Sequence, residues 1–211
     1  MQTVTTSYPV EFTVDYPDRE LDRASSLFRI VFAIPILIVF AAIGAALGSG
    51  RDDDGLFFAG VAGGILFIPP LLTILLRQKY PRWWFDFNVA YLRFHNRVVA
   101  YLLLLRDEYP STDDEQAVHL DVRYPDVRAD LNRWMPLVKW VLAIPHYVVL
   151  ILLDVAVALG AIGAWAVILV TGRYPRGLFD FMVGVMRWHN RVIGYAFVLV
   201  TDRYPPFRLA R

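Results

Sequence analysis

The sequence predicts a mainly α membrane protein made of two repeats, each a short strand, a transmembrane helical hairpin and an interfacial amphipathic helix. Three observations lead there. The 211-residue chain is 57% hydrophobic, and its apolar residues gather in runs such as Leu66–Leu76, whereas a soluble domain is roughly 45–50% apolar. The stretch Tyr80–Tyr101 recurs without a gap as Tyr174–Tyr195, at a constant shift of 94 residues. Each copy is preceded by apolar runs and, before those, by a segment of alternating character.

The repeated stretch shares Tyr-Pro-Arg, Phe-Asp-Phe, an Arg-aromatic-His-Asn-Arg-Val core and a closing Tyr. The match continues outward. Ala33-Ile34-Pro35 corresponds to Ala143-Ile144-Pro145, and Asp107-Glu108-Tyr109-Pro110 to Asp202-Arg203-Tyr204-Pro205. Residues 8–110 and 118–206 are therefore read as two units, joined by the polar linker Ser111-Thr112-Asp113-Asp114-Glu115.

Each unit opens with a strand. Val10, Phe12, Val14 and Tyr16 alternate with polar residues, as do Val118, Leu120, Val122 and Tyr124. Period-two alternation rich in β-branched and aromatic residues is the pattern of a half-buried strand. A lone strand leaves its backbone groups unpaired, so the two strands are expected to pair antiparallel. Apolar runs follow at Ile30–Gly48 and Leu56–Leu76, each near the roughly 20 residues that a bilayer crossing needs. Between them lies a polar turn containing Asp52-Asp53-Asp54. The second unit has one apolar stretch, Met135–Thr171. Asp154 is taken as the tip of its hairpin, which divides it into Met135–Leu153 and Val155–Thr171.

Each unit closes with the repeated helix. Asp86, Arg93 and Arg97 fall within about 40° of one another at 100° per residue, and Asp180, Arg187 and Arg191 repeat that stripe. Arginines at mid-bilayer cost about 2.5–3.5 kcal/mol each, so these helices are expected to lie on the membrane. Four crossings then leave only Arg51, of 21 Lys and Arg residues, on the far side. That bias places both termini in the cytoplasm and the protein in the cell (inner) membrane.

Several classes of function are disfavoured. A net charge of +1 offers no bulk attraction for nucleic acid. The absence of cysteine removes disulfides and thiol chemistry. Gly-rich phosphate loops, a nucleophile elbow and zincin motifs are missing. No cofactor and no metal site is expected, because His95 and His189 have no Cys or Glu at ligand spacing. His146 reads as a packing residue in an apolar run.

The best candidate site is the doubled cluster Arg93, His95, Asn96, Arg97 and Arg187, His189, Asn190, Arg191. Two arginines one turn apart could clamp a phosphate or lipid headgroup. The plainer reading is structural, with Asp86 and Asp180 as ion-pair partners that neutralise the arginine stripe.

The motifs Tyr174-Pro175-Arg176, Phe179-Asp180-Phe181, the Arg187–Arg191 cluster and Thr201-Asp202-Arg203-Tyr204-Pro205-Pro206-Phe207 resemble a family of bacterial integral membrane proteins known as domain of unknown function 4389. The first unit carries the pattern less completely, since Arg106-Asp107-Glu108 stands in place of Thr-Asp-Arg and Ser111 in place of the second proline. The resemblance implies membrane location and a common fold, and no reaction.

The leading expectation is a non-enzymatic scaffold, accessory subunit or lipid-interacting protein. Its expected partners are membrane lipids and a membrane protein or a second copy of itself. The alternative is a small transporter or lipid-translocating protein with a site between the units. A second alternative is an enzyme acting on lipid headgroups.

Overall fold

A computed structural model describes residues 8–47 and 64–210. The turn expected around Asp52-Asp53-Asp54 and the start of the Leu56–Leu76 run lie outside the described residues. In chain order the main elements are β1 (Val10–Val14), α1 (Arg23–Leu27), α2 (Arg29–Leu47), α3 (Gly64–Arg77), α4 (Arg82–Leu102), β2 (Val118–Val122), α5 (Val127–Asp130), α6 (Lys139–Leu142), α7 (Ile144–Thr171) and α8 (Arg176–Ala196).

The two strands pair antiparallel with each other, Phe12 opposite Leu120 at the centre of the register. Val10, Phe12, Val14, Val118 and Leu120 are buried on one face. Glu11, Thr13, His119 and Asp121 alternate with them on the other. On the buried face β1 lies along α8 and β2 along α4. Contact with α8 is close enough to require Gly194, where a Cβ would sit 2.6 Å from a Val10 methyl. On the far side of these two helices, α2 packs against α4 and α7 against α8. The order of layers is thus sheet, paired amphipathic helices, apolar helices.

Local chemistry sets the boundaries of α4 and α8. Each begins after a proline in extended conformation, Pro81 and Pro175, whose fixed φ suits a helix entry. Just beyond each C-terminus a leucine takes left-handed backbone, Leu104 at φ 62° and Leu199 at φ 60°. That conformation costs a residue with a Cβ roughly 1–2 kcal/mol. Both leucines are buried, and burying such a side chain contributes about 1.5–3 kcal/mol in return. The repeated Tyr-Pro dipeptides also have a structural role. Tyr16 donates its hydroxyl to the Tyr174 carbonyl, and Tyr124 to the Tyr80 carbonyl.

The expected pair of strand-plus-hairpin repeats is not what forms. The second hairpin is replaced by one continuous helix, α7, with Asp154 in its interior. Its only proline, Pro145, sits in the first turn, where the missing N–H is harmless. Nothing downstream interrupts the helix until Gly172, which caps it at φ 72°. Asp154 is tolerated mid-helix because His189 of α8 comes within 3.4 Å of its carboxylate. Among the described residues α7 alone is long and apolar enough to cross a membrane, and the apolar helices Arg29–Ala42 and Phe67–Arg77 are shorter. The four-crossing topology loses its second hairpin for the same reason. The strands behave as expected, one from each unit, paired antiparallel in a single two-stranded sheet.

Two buried ion pairs brace the junctions between layers. Arg29 pairs with Asp107, and its guanidinium also donates to the Arg106 carbonyl at 3.2 Å. At the corresponding place Lys139 pairs with Asp202 at 2.7 Å and donates to the Thr201 carbonyl at 2.8 Å. The cations face Tyr101 and Tyr195 respectively. Lys139 is 0% exposed. Burial pulls its pKa down, and Asp202 works against that by favouring the charged form.

Removing one partner of a buried pair strands the other charge. Lys139→Met is therefore expected to cost roughly 3–5 kcal/mol of unfolding free energy in detergent. Lys139→Arg should retain most of the stability, since Arg29 already fills the matching position. Denaturation curves in which Met and Arg variants behave alike would remove the ion pair from this account.

Candidate functional site

The two His-Asn-Arg clusters meet where α4 crosses α8. Asn96 and Asn190 are both buried there. Asn96 donates to the Asn190 side-chain oxygen at 2.8 Å, and Asn190 returns the bond at 2.7 Å. The second N–H of each amide goes to a carbonyl one turn back, Leu92 or Met186, both at 2.8 Å. Each amide is thereby satisfied within the protein, and the pair fixes the register of one helix on the other.

The four arginines hold backbone. Arg93 donates to the Leu120 carbonyl of β2 at 2.9 Å, and Arg187 to the Phe12 carbonyl of β1 at 3.0 Å. Arg93 also lies 3.7 Å from Asp121. Arg97 donates to the Ser111 carbonyl at 2.8 Å. Arg191 holds the C-terminal segment through the Arg208 and Ala210 carbonyls, at 3.1 and 2.8 Å. Arg187 reaches the same segment at the Leu209 carbonyl, 2.7 Å away. Guanidinium is suited to this because its planar fork presents several donors in fixed directions.

The histidines point towards the apolar layer. His95 packs its ring against Phe40 of α2, with centroids 5.3 Å apart. Burial, with a smaller contribution from nearby His189, lowers the His95 pKa to about 4. His189 lies between the Val185 carbonyl, 3.2 Å from Nδ1, and Asp154 at Nε2. Among the described residues no group of three or more His, Cys, Asp or Glu side chains is arranged to hold a metal ion.

Asp86 and Asp180 do form ion pairs, with arginines one turn before them rather than after. Asp86 lies 3.2 Å from Arg82 and Asp180 3.7 Å from Arg176, both pairs at the surface. Each of these arginines stacks over a strand-end tyrosine, Arg82 over Tyr124 and Arg176 over Tyr16. A cleft of about 380 Å³ opens beside β1, walled by Arg176, Asp180 and Arg187 with Tyr16 and Phe179. It brings together Asp180 and Arg187 of the α8 stripe, while His189, Asn190 and Arg191 do not line it.

Sequence reasoning missed Arg29, Lys139, Asp107 and Asp202. A signal was there, since Lys139 interrupts an apolar run and both aspartates stand in the repeated Asp-x-Tyr-Pro ends. A charge that must be buried needs a partner. His146 is the packing residue it was expected to be. It is buried, accepts from the Trp188 indole at 3.0 Å and stacks on Phe207.

Residues 133–208 match the family model described as Domain of unknown function (DUF4389). That span begins just before α6 and includes α7, α8 and most of the C-terminal segment. No curated protein and no solved structure matches the sequence.

Breaking the amide pair from one side leaves a buried polar group unpaired, a loss of about 1–3 kcal/mol. Asn96→Leu and Asn190→Leu should each cost that much, and the double variant clearly less than their sum. Additive losses in a double-mutant cycle would show that the two amides do not depend on each other. A second expectation follows from His95. Its folded pKa is about 4 against an ordinary 6.5, so the unfolded chain takes up a proton that the folded chain refuses. Stability from this group is complete above about pH 6.5 and is lost as pH falls through about 4. His95→Gln should flatten the melting temperature over that window.

Proposed function

We propose that this chain is a non-enzymatic membrane protein, a scaffold or accessory component that lodges its apolar helices in lipid and presents its two-stranded sheet to water. One observation carries the reading. The most apolar window of α7 is only 11% buried within the protein. Large apolar side chains on α2 and α3, among them Ile30, Ile34, Ile38, Ile68 and Leu72, are exposed as well. Soluble monomers rarely leave so much contiguous apolar surface in water.

The clusters at the helix crossing support a structural role. Their amides bond each other and their arginines bond carbonyls of the strands, the linker and the C-terminal segment. Binding a phosphate or headgroup at Arg97 or Arg191 would mean giving up those bonds. Headgroup contact therefore falls to surface arginines such as Arg82 and Arg176. We place the sheet layer, with both termini, on the cytoplasmic side, because the basic residues of the chain gather outside its apolar runs. A transporter or lipid-translocating role is favoured by one feature only, the Asp154–His189 contact on an otherwise apolar helix.

Alkaline carbonate extraction tests the reading. The chain is expected to stay with the membrane pellet, and the triple substitution Val148→Lys, Val155→Lys, Ile162→Lys on α7 should move it to the supernatant. A wild-type chain released by carbonate would leave the exposed apolar helices to some other protein.

A further inference from the structure

We infer that α7 lies in the plane of one membrane leaflet instead of crossing the bilayer, an inference that rests on the membrane attachment proposed above. Length does not decide the matter. Its 28 residues extend about 42 Å at 1.5 Å each, more than the roughly 30 Å of hydrocarbon.

Tethering decides it. At the N-terminal end, Tyr204 donates to the Leu142 carbonyl at 3.0 Å, beside the Lys139–Asp202 pair. In the middle, Asp154 meets His189. At the C-terminal end, the Leu21 N–H donates to the Gly172 carbonyl at 2.8 Å, and Arg173 lies 3.4 Å from Glu20. The helix is thus held at both ends and at its centre by the same polar layer. It also runs beside α8 for most of its length, from Ala143 near Tyr195 to Gly160 against Leu178 and Met182.

On its opposite face α8 carries β1, through Arg187 and the Phe12 carbonyl and through Gly194 and Val10. A crossing α7 would draw this whole stack into hydrocarbon. Arginines there cost about 2.5–3.5 kcal/mol each. The open edges of a two-stranded sheet would leave backbone groups without partners. Lying flat avoids both costs and turns Val148, Leu152, Val155, Leu159 and Ile162, all exposed, into one leaflet. Asp154 then faces α8 at the polar boundary and not the bilayer centre. Exposed Trp140 just before the helix and Trp165 near its end suit the interface that indole rings prefer.

The chain has no native cysteine, so single cysteines can carry spin labels without background. The protein, in vesicles of mixed anionic and zwitterionic phospholipid, is labelled in turn at Val148, Leu152, Val155, Leu159, Ile162 and Val170. Collision with oxygen against a water-soluble nickel chelate then reports depth. All six positions fall within about 80° of one another at 100° per residue, so the expected result is one similar, shallow depth from Val148 to Val170. A depth that climbs from both ends to a maximum near Val155 would overturn the in-plane placement and leave the membrane reading standing. So would Trp140→Cys and Val170→Cys reacting with an impermeant thiol reagent from opposite sides. Labels all open to the chelate, or shielded from both reagents, would overturn the membrane reading as well, the second result assigning the face to a protein partner.

Discussion

Everything in the molecule is hung on the crossing of α4 and α8, and that crossing is specified by two amides. Reciprocal bonds between Asn96 and Asn190, each backed by a bond to its own helix, contribute what neutral hydrogen bonds usually do, about 0.5–1.5 kcal/mol each. Their weight lies in what other registers would cost. A slip of either helix by one residue parts the two amides and takes from each buried side-chain oxygen the donor it has now. A buried asparagine pair selects one alignment in coiled coils for the same reason. With the crossing set, Arg93 and Arg187 stand where they can reach the centre of each strand. The sheet is then placed on one side of the helix pair and the apolar helices on the other.

The sequence made some of this legible. Alternation identified both strands, and their unpaired backbone called for a mutual antiparallel pairing, which forms with Phe12 opposite Leu120. The amphipathic stretches became α4 and α8 nearly to the residue, because proline marks each start. Asp154 was misread for an understandable reason. An acidic residue inside an apolar stretch is the natural place for a turn, unless a partner arrives from elsewhere, and His189 arrives from a different helix. The arginines show a related limit. Periodicity reveals that Arg93 and Arg97 share a face with Asp86, yet their acceptors are carbonyls of β2 and of the linker. Every residue owns a carbonyl, so such acceptors leave no mark in a sequence.

The distribution of polarity across the layers gives the candidate site its meaning. The amides and arginines of the two clusters on α4 and α8 bond inward to each other or to the sheet and its connections, while Arg82–Asp86 and Arg176–Asp180 pair at the surface. The outer apolar helices contribute few polar groups, and Asp154 and His146 both turn towards α8 or its C-terminal extension. The doubled cluster therefore stands at the boundary between a polar face and an apolar one, and its bonds hold the two together.

The pairing of strands with helices has a consequence for how the chain is made. Val10 packs against Gly194 and the Phe12 carbonyl accepts from Arg187, so β1 is completed only when α8, the last of the described helices, has been made. Contacts of such separation close slowly, since the chain entropy of the intervening loop is lost before they form. Until α8 is synthesised, α2 and α3 have no finished layer to cover them. During translation that apolar surface needs a host, and a nascent chain that meets the bilayer early would find one before its own fold exists.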